Sequence, residues 1–124
     1  MRYECRRDFF SDTLQLRLGG SARDGSGRVE VRKPDGEWGT ICDDSFDEKE
    51  ATVVCKMLGF ERGTAKAKAH FGEGSGSIWM DDLECTGDEF NVFDCKHNGW
   101  GKHNCEHKKD AGIECETTSS KLLF

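Results

Sequence analysis

The stretch "GRVEVRKPDGEWGTICDDSFDEKEATVVCKMLGF", residues 27–60, decides most of the fold. Its opening, Arg28–Arg32, alternates charged and apolar residues, the period of a strand with one buried face. Pro34, Asp35 and Gly36 form a turn signal, and the chain returns through Trp38 and Ile41, so a hairpin is expected. A helix then begins at Asp47. Asp47 with Glu50 three residues later is a capping-box pair, each side chain serving an orphan backbone N–H. Ala51, Val54, Cys55 and Leu58 follow at i, i+3, i+4 and i+7, one apolar face, and Gly59 is a C-terminal stop. Cys55 on that face points inward, where a disulfide can tie the helix to the body.

Outward from this stretch, Leu14–Leu18 alternates as a second half-buried strand. "FGEGSGSIWMDDLEC" (71–85) reads as a flexible glycine–serine loop entering a short strand at Ile78–Met80. "GDEFNVFDC" (87–95) suits a single helical turn, and "AGIEC" (111–115) a last short strand. The tail "ETTSSKLLF" (116–124) has no partner pattern and reads as frayed. No internal repeat is present.

A chain of 124 residues is one domain by length. Apolar residues make up 35% and charged residues 34%, thin material for a self-sufficient core. Seven cysteines supply another source of stability. Cys42, Cys55, Cys85, Cys95, Cys105 and Cys115 form an even set, a disulfide framework that requires an oxidising, extracellular compartment. Six cysteines allow fifteen pairings, and spacing does not choose among them. Cys5 stands apart and reads as free or intermolecular. The start "MRYECRRDFF" has no apolar run of signal-peptide length and no stretch is long enough to span a bilayer. A piece of a larger secreted or membrane-attached protein is therefore expected.

Net charge is −6 but segregated. Residues 80–94 hold acids and no Lys or Arg, whereas Lys96, His97, Lys102, His103, His107, Lys108 and Lys109 are gathered in the next stretch. Lys66 and Lys68 extend this group. Such a basic run either recognises sulfate or phosphate groups or is a solvated face.

The stretch 27–60, then "GSGSIWMDDLECTGDEFNVFDC" and "NGWGKHNCEHKKDAGIEC", resembles a scavenger receptor cysteine-rich domain, with cysteines, Trp and Gly in register from about Leu14 to Cys115. The cysteine spacing is similar to the six-cysteine, group A form. The resemblance implies bridges Cys42–Cys105, Cys55–Cys115 and Cys85–Cys95. It also implies an α+β fold in which a curved antiparallel sheet cradles one main helix, in agreement with the element order read above. The expected layout is an N-terminal extension with Cys5 (1–13), the cysteine-rich domain (14–116) and a flexible tail (117–124).

Members of this family are extracellular recognition modules for polyanionic or protein ligands, often assisted by calcium. The resemblance implies two cation sites. One would use Asp43, Asp44 and Asp47 with an acid just before the closing "DAG"; the other would use Asp81, Asp82 and Asn104. Calcium takes six to eight oxygen ligands, and loop carboxylates supply several. The plainer reading makes Asp47 a helix cap and Asp43 and Asp44 solvated loop acids. The chain departs from the family at Lys109, which stands where members with the first site usually carry Glu. Either its ammonium replaces the ion or it points to solvent. Lys96, Lys102, His103, Lys108 and Lys109 are the candidate ligand-binding residues.

Zinc is a weaker reading: His103 and His107 have helical spacing with Cys95, Cys105 and His97 nearby, but cysteines in disulfides offer no thiolate. No nucleophile elbow or phosphate loop is present, so an enzyme is not expected. The alternative to a recognition module is a structural or regulatory spacer among the neighbouring domains of a secreted protein. Specific nucleic-acid recognition is not expected.

Overall fold

The computed structural model describes residues 8–11 and 13–117. The elements run β1 (Phe9–Phe10), β2 (Gln15–Gly19), β3 (Ser26–Arg32), β4 (Gly39–Ile41), α1 (Glu48–Met57), β5 (Arg62–Lys66), β6 (Ser77–Met80) and β7 (Gly112–Glu116). Short 3-10 turns occupy Val92–Asp94 and His107–Lys109. Cys5 and the residues from Thr118 onward lie outside the described residues, as do the expectations placed on them.

β3 organises the sheet. One edge pairs with β2 along its length, Leu16 facing Val31 and Leu18 facing Val29. Its other edge is divided: Ser26–Arg28 pair with β7, while Glu30 and Val31 pair with β4. β5 closes the far side of β7. The alternation read from the sequence holds, with Leu16, Val29 and Val31 fully buried.

The expectation of an antiparallel sheet needs correction. β4 and β6 run parallel, Gly39 opposite Ser77 and Thr40 opposite Ile78. These strands are joined by a long crossover through α1 and β5, not by a hairpin, and such a connection permits parallel pairing. The sheet is mixed.

Asp47 caps α1 as the sequence implies. Its carboxylate accepts from the Lys49 N–H, and Glu50 accepts from the Asp47 N–H at 2.8 Å. The second Glu50 oxygen accepts from the Cys85 N–H at 2.7 Å, so this buried side chain joins the helix start to a distant loop. Ala51, Val54, Cys55 and Leu58 are buried as one face, with Val53 beside them, and α1 lies on β5 and β7. Gly63 has no room for a side chain: a Cβ would stand 2.2 Å from Cys55 Sγ.

The three bridges are Cys42–Cys105, Cys55–Cys115 and Cys85–Cys95, as the resemblance implied. The first two span 63 and 60 residues, and chain-entropy arguments give each about 4 kcal/mol. The Gly/Ser run is tethered, since its polar backbone finds partners: Gly74 N–H donates to Asp110 Oδ2 at 2.7 Å and Gly72 N–H to the Ala69 carbonyl at 2.8 Å.

Candidate functional site

The Cys42–Cys105 bridge draws the loop after β4 and the closing loop together. Asp43 N–H donates to the Lys109 carbonyl at 2.8 Å. Around the bridge, carboxylate oxygens of Asp44 and Asp81 and the two sulfurs all lie within 4.8 Å of one another. Asp44 Oδ2 and Asn104 Oδ1 stand 3.5 and 3.7 Å from Cys105 Sγ. A disulfide sulfur carries no proton, so these are contacts and not hydrogen bonds. Asp81 is fully buried; its oxygens accept from the Asp82 N–H at 2.8 Å and the Asn104 N–H at 3.4 Å. Burial holds its carboxyl above the usual range, and the charges of Asp82 and Asp44 push the same way.

Lys109 Nζ lies 2.5 Å from Asp44 Oδ1. That hydrogen bond, with the charges of Asp44, Asp43 and Asp81, raises the lysine above its ordinary pKa. Of the two readings of Lys109, the structure has the ammonium on the acidic cluster. The other sequence candidates turn to separate partners. Asp43 Oδ2 accepts from the Lys68 N–H at 2.8 Å, and Asp47 is occupied with its cap. Asp82, in a left-handed conformation (φ 54°), accepts from Asn98 Nδ2 at 2.8 Å. The fold thus gathers one member of each expected cation site, Asp44 and Asp81, with Asn104 at their edge.

The donor set at this cluster is hard oxygen, which suits calcium. It does not suit zinc: Cys42, Cys95 and Cys105 are oxidised, and His103 and His97 accept from the Cys105 and Gly99 N–H groups through Nδ1.

Lys96, Lys102, His103 and Lys108 are exposed. Lys108 sits 3.5 Å from Glu106, and Lys66 sits 3.8 Å from Glu114. A second basic surface, not read from the sequence, lies on the outer face of β2 and β3. Arg17 and Arg32 lie over the Trp38 ring, their guanidinium carbons 4.1 and 4.6 Å from its centroid. Arg17 and Arg28 grip Glu30 at 2.7 and 2.8 Å. A groove of about 460 Å³ opens here, walled on the far side by Glu73, Gly74 and Ser75. Arg28 reaches across it to the carbonyls of Phe71 and Gly72, both at 3.3 Å. The signal was present in "QLRLG" and "RVEVR", whose alternation puts Arg17, Arg28, Glu30 and Arg32 on one face.

The family model of the scavenger receptor cysteine-rich domain matches residues 18–116. The chain belongs to the scavenger receptor cysteine-rich family. As a scavenger receptor cysteine-rich domain, it is 51% identical over 98 residues to the macrophage receptor MARCO of Mus musculus, covering 79% of the chain. It is 52% identical over 101 residues, 81% of its length, to a scavenger receptor cysteine-rich domain superfamily protein of Patiria pectinifera. The chain spans 18% and 9% of the lengths of these two relatives. Among solved structures, the third such domain of murine neurotrypsin matches with a TM-score of 0.76 at 44% identity, covering 83% of this chain and 96% of that one. The dimeric form of the mouse MARCO domain matches with a TM-score of 0.69 at 49% identity, covering 81% and 93%. Scavenger receptor cysteine-rich domains are non-enzymatic modules, and this chain is one.

Proposed function

We propose that the chain is an extracellular recognition module for polyanionic ligands, or for proteins presenting clustered acids, and that the groove over Trp38 is its main contact surface. The carrying observation is the pair of guanidinium groups held over Trp38 with Arg28 beside them. Three arginines there outnumber Glu30 and Glu73, and stacking fixes two of them in place before a ligand arrives. Charge-assisted bonds from a pre-positioned guanidinium to sulfate or phosphate are strong and directional. Exposed Lys96, Lys102 and Lys108 add positive charge, while Lys109 is committed to Asp44.

Calcium assistance is the second part of this reading. Asp81, Asp82 and Asn104 supply oxygens, and an ion there relieves the repulsion between Asp44 and Asp81. Lys109 supplies part of that relief already, so calcium dependence is weaker than with a carboxylate at position 109. Kinship with a macrophage receptor supports an extracellular setting, as does the disulfide framework.

Retention on dextran sulfate beads, with calcium and with chelator, tests the proposal. The wild type is expected to bind and to elute with salt; Arg17→Ala/Arg32→Ala is expected to lose most retention while keeping its melting temperature within a few degrees. A wild type that flows through under both conditions would leave the domain a spacer.

A further inference from the structure

His107 has an acceptor on each side. Nδ1 lies 2.9 and 3.1 Å from the two oxygens of Asp110. Nε2 lies 2.9 Å from the Gly76 carbonyl. Asp110, its side chain fully buried, is already an acceptor twice over: Thr40 Oγ1 donates to Oδ1 at 2.8 Å and Gly74 N–H to Oδ2 at 2.7 Å. A carbonyl never donates, and the neutral imidazole has one N–H. Both contacts of His107 are therefore hydrogen bonds only when the ring is the imidazolium. Loss of one proton leaves a ring nitrogen lone pair facing an oxygen.

The segment so held is not incidental. Residues 73–75 are the far wall of the Trp38 groove, and Gly76 continues directly from them. Gly74 is tied to Asp110, Gly76 to His107, and Ser77 Oγ to Glu37 at 3.1 Å. We propose that His107 is a proton-operated latch: as the imidazolium it fixes the 73–76 wall against Asp110, and on deprotonation it releases the Gly76 carbonyl and loosens that side of the groove.

The charged surroundings favour the closed form. Asp110 and Glu73 face the ring with negative charge. His107 lines a depression separate from the Trp38 groove; Glu106, paired with Lys108, and exposed His103 line it too. Burial pulls the imidazole down, but the Gly76 carbonyl, Asp110 and Glu73 more than reverse this, and the net direction is up. The latch contribution is therefore complete below the ordinary histidine pKa and disappears as pH rises through the higher folded value.

This inference rests on the groove being the ligand surface only for its functional consequence. The latch itself is tested without ligand. In the intact chain, the ring-nitrogen NMR signals of His107 are followed against pH, together with hydrogen exchange at residues 74–77 corrected for intrinsic rate. Protection there is expected to fall about fivefold, the weight of one lost hydrogen bond, with the same midpoint as His107 and above that of an ordinary histidine. Asp110→Asn lowers that midpoint, and His107→Gln removes the pH dependence. If His107→Gln does not fold, the wild-type titration and exchange curves still decide. A His107 midpoint at or below the ordinary value, or loop protection that ignores it, overturns the latch. Dextran sulfate binding is measured in parallel: retention that weakens with the same midpoint links latch to groove. Absence of binding at every pH would sink the polyanion reading and the link, while loop protection that follows His107 would uphold the latch.

Discussion

Replacing Glu50 isolates a tie between the helix and the loop of the short disulfide. The residue is only 2% exposed, and its two oxygens accept from the N–H groups of Asp47 and Cys85. In Glu50→Ala the capping box loses its return bond, an effect of about 1 kcal/mol. The Cys85 N–H is then left buried without an acceptor, which costs about 1–3 kcal/mol more. Against this, burial raises the Glu50 carboxyl above its usual range, so removing the charge returns part of the loss. The net expectation is about 2–3 kcal/mol, a fall of roughly 10 °C in melting temperature for a domain of this size. Asp47→Ala is the control, since it removes the bond to Lys49 and the side-chain contact with Glu50 but leaves the Cys85 N–H its acceptor, and is expected near 1 kcal/mol. Urea unfolding of both variants with disulfides intact, at neutral pH, supplies the comparison. The sign with pH is a further check. A carboxyl raised in the folded state makes wild-type stability fall as pH rises from the ordinary carboxyl pKa through the raised one. Glu50→Gln lacks that contribution, so its deficit relative to wild type shrinks over the same window. If Glu50→Ala is no weaker than Asp47→Ala, the link to Cys85 carries nothing and the reasoning fails.

Lys109→Glu replaces the ammonium on Asp44 with a fourth acid. In chelator it is expected to melt below wild type, and in millimolar calcium to recover, because an ion bound only by the folded state stabilises it; equal calcium responses in the two proteins would remove Lys109 from the cluster. Asp81→Asn takes a raised, buried carboxylate away from Asp82 and Asp44, so it is expected to melt above wild type in chelator and to lose the calcium response, both readable by scanning calorimetry. Gly63→Ala drives a methyl group into the Cys55–Cys115 bridge and the backbone of Ala51 and Glu114; a loss of about 3 kcal/mol or more is expected, and a variant within 1 kcal/mol of wild type would contradict the close approach.

Strands and helix were legible where local pattern and burial coincide. β2 and β3 alternate, and the capping box and apolar face of α1 are written into residues 47–58. β5 was missed because "RGTAK" carries no large apolar residue; it becomes a strand by pairing with β7, and Gly63 is there to admit the bridge. The parallel pairing of β4 with β6 depends on a crossover that no local pattern records. Bridge pairing came from family resemblance, since spacing leaves fifteen choices open. At the candidate site, Lys109 was visible as a departure from the family pattern. The meeting of Asp44 with Asp81 was not, because both residues follow the C-terminal ends of β4 and β6, whose parallel pairing no local pattern records. The arginine face was present in the alternation, but its charge is lost in a net acidic composition.

β7 lies between β3 and β5; it carries Cys115, and the segment that leads into it carries Cys105, the mates of Cys55 and Cys42 respectively. During synthesis the early strands and the helix emerge first, yet the partners that close them arrive some sixty residues later. Until then Cys42 and Cys55 are the nearest thiols to one another, with only one helical segment between them. A nascent chain in an oxidising lumen thus meets a wrong bridge before either right long-range one exists. Productive maturation of this domain requires either that oxidation lag behind translation or that a disulfide isomerase undo the early bond.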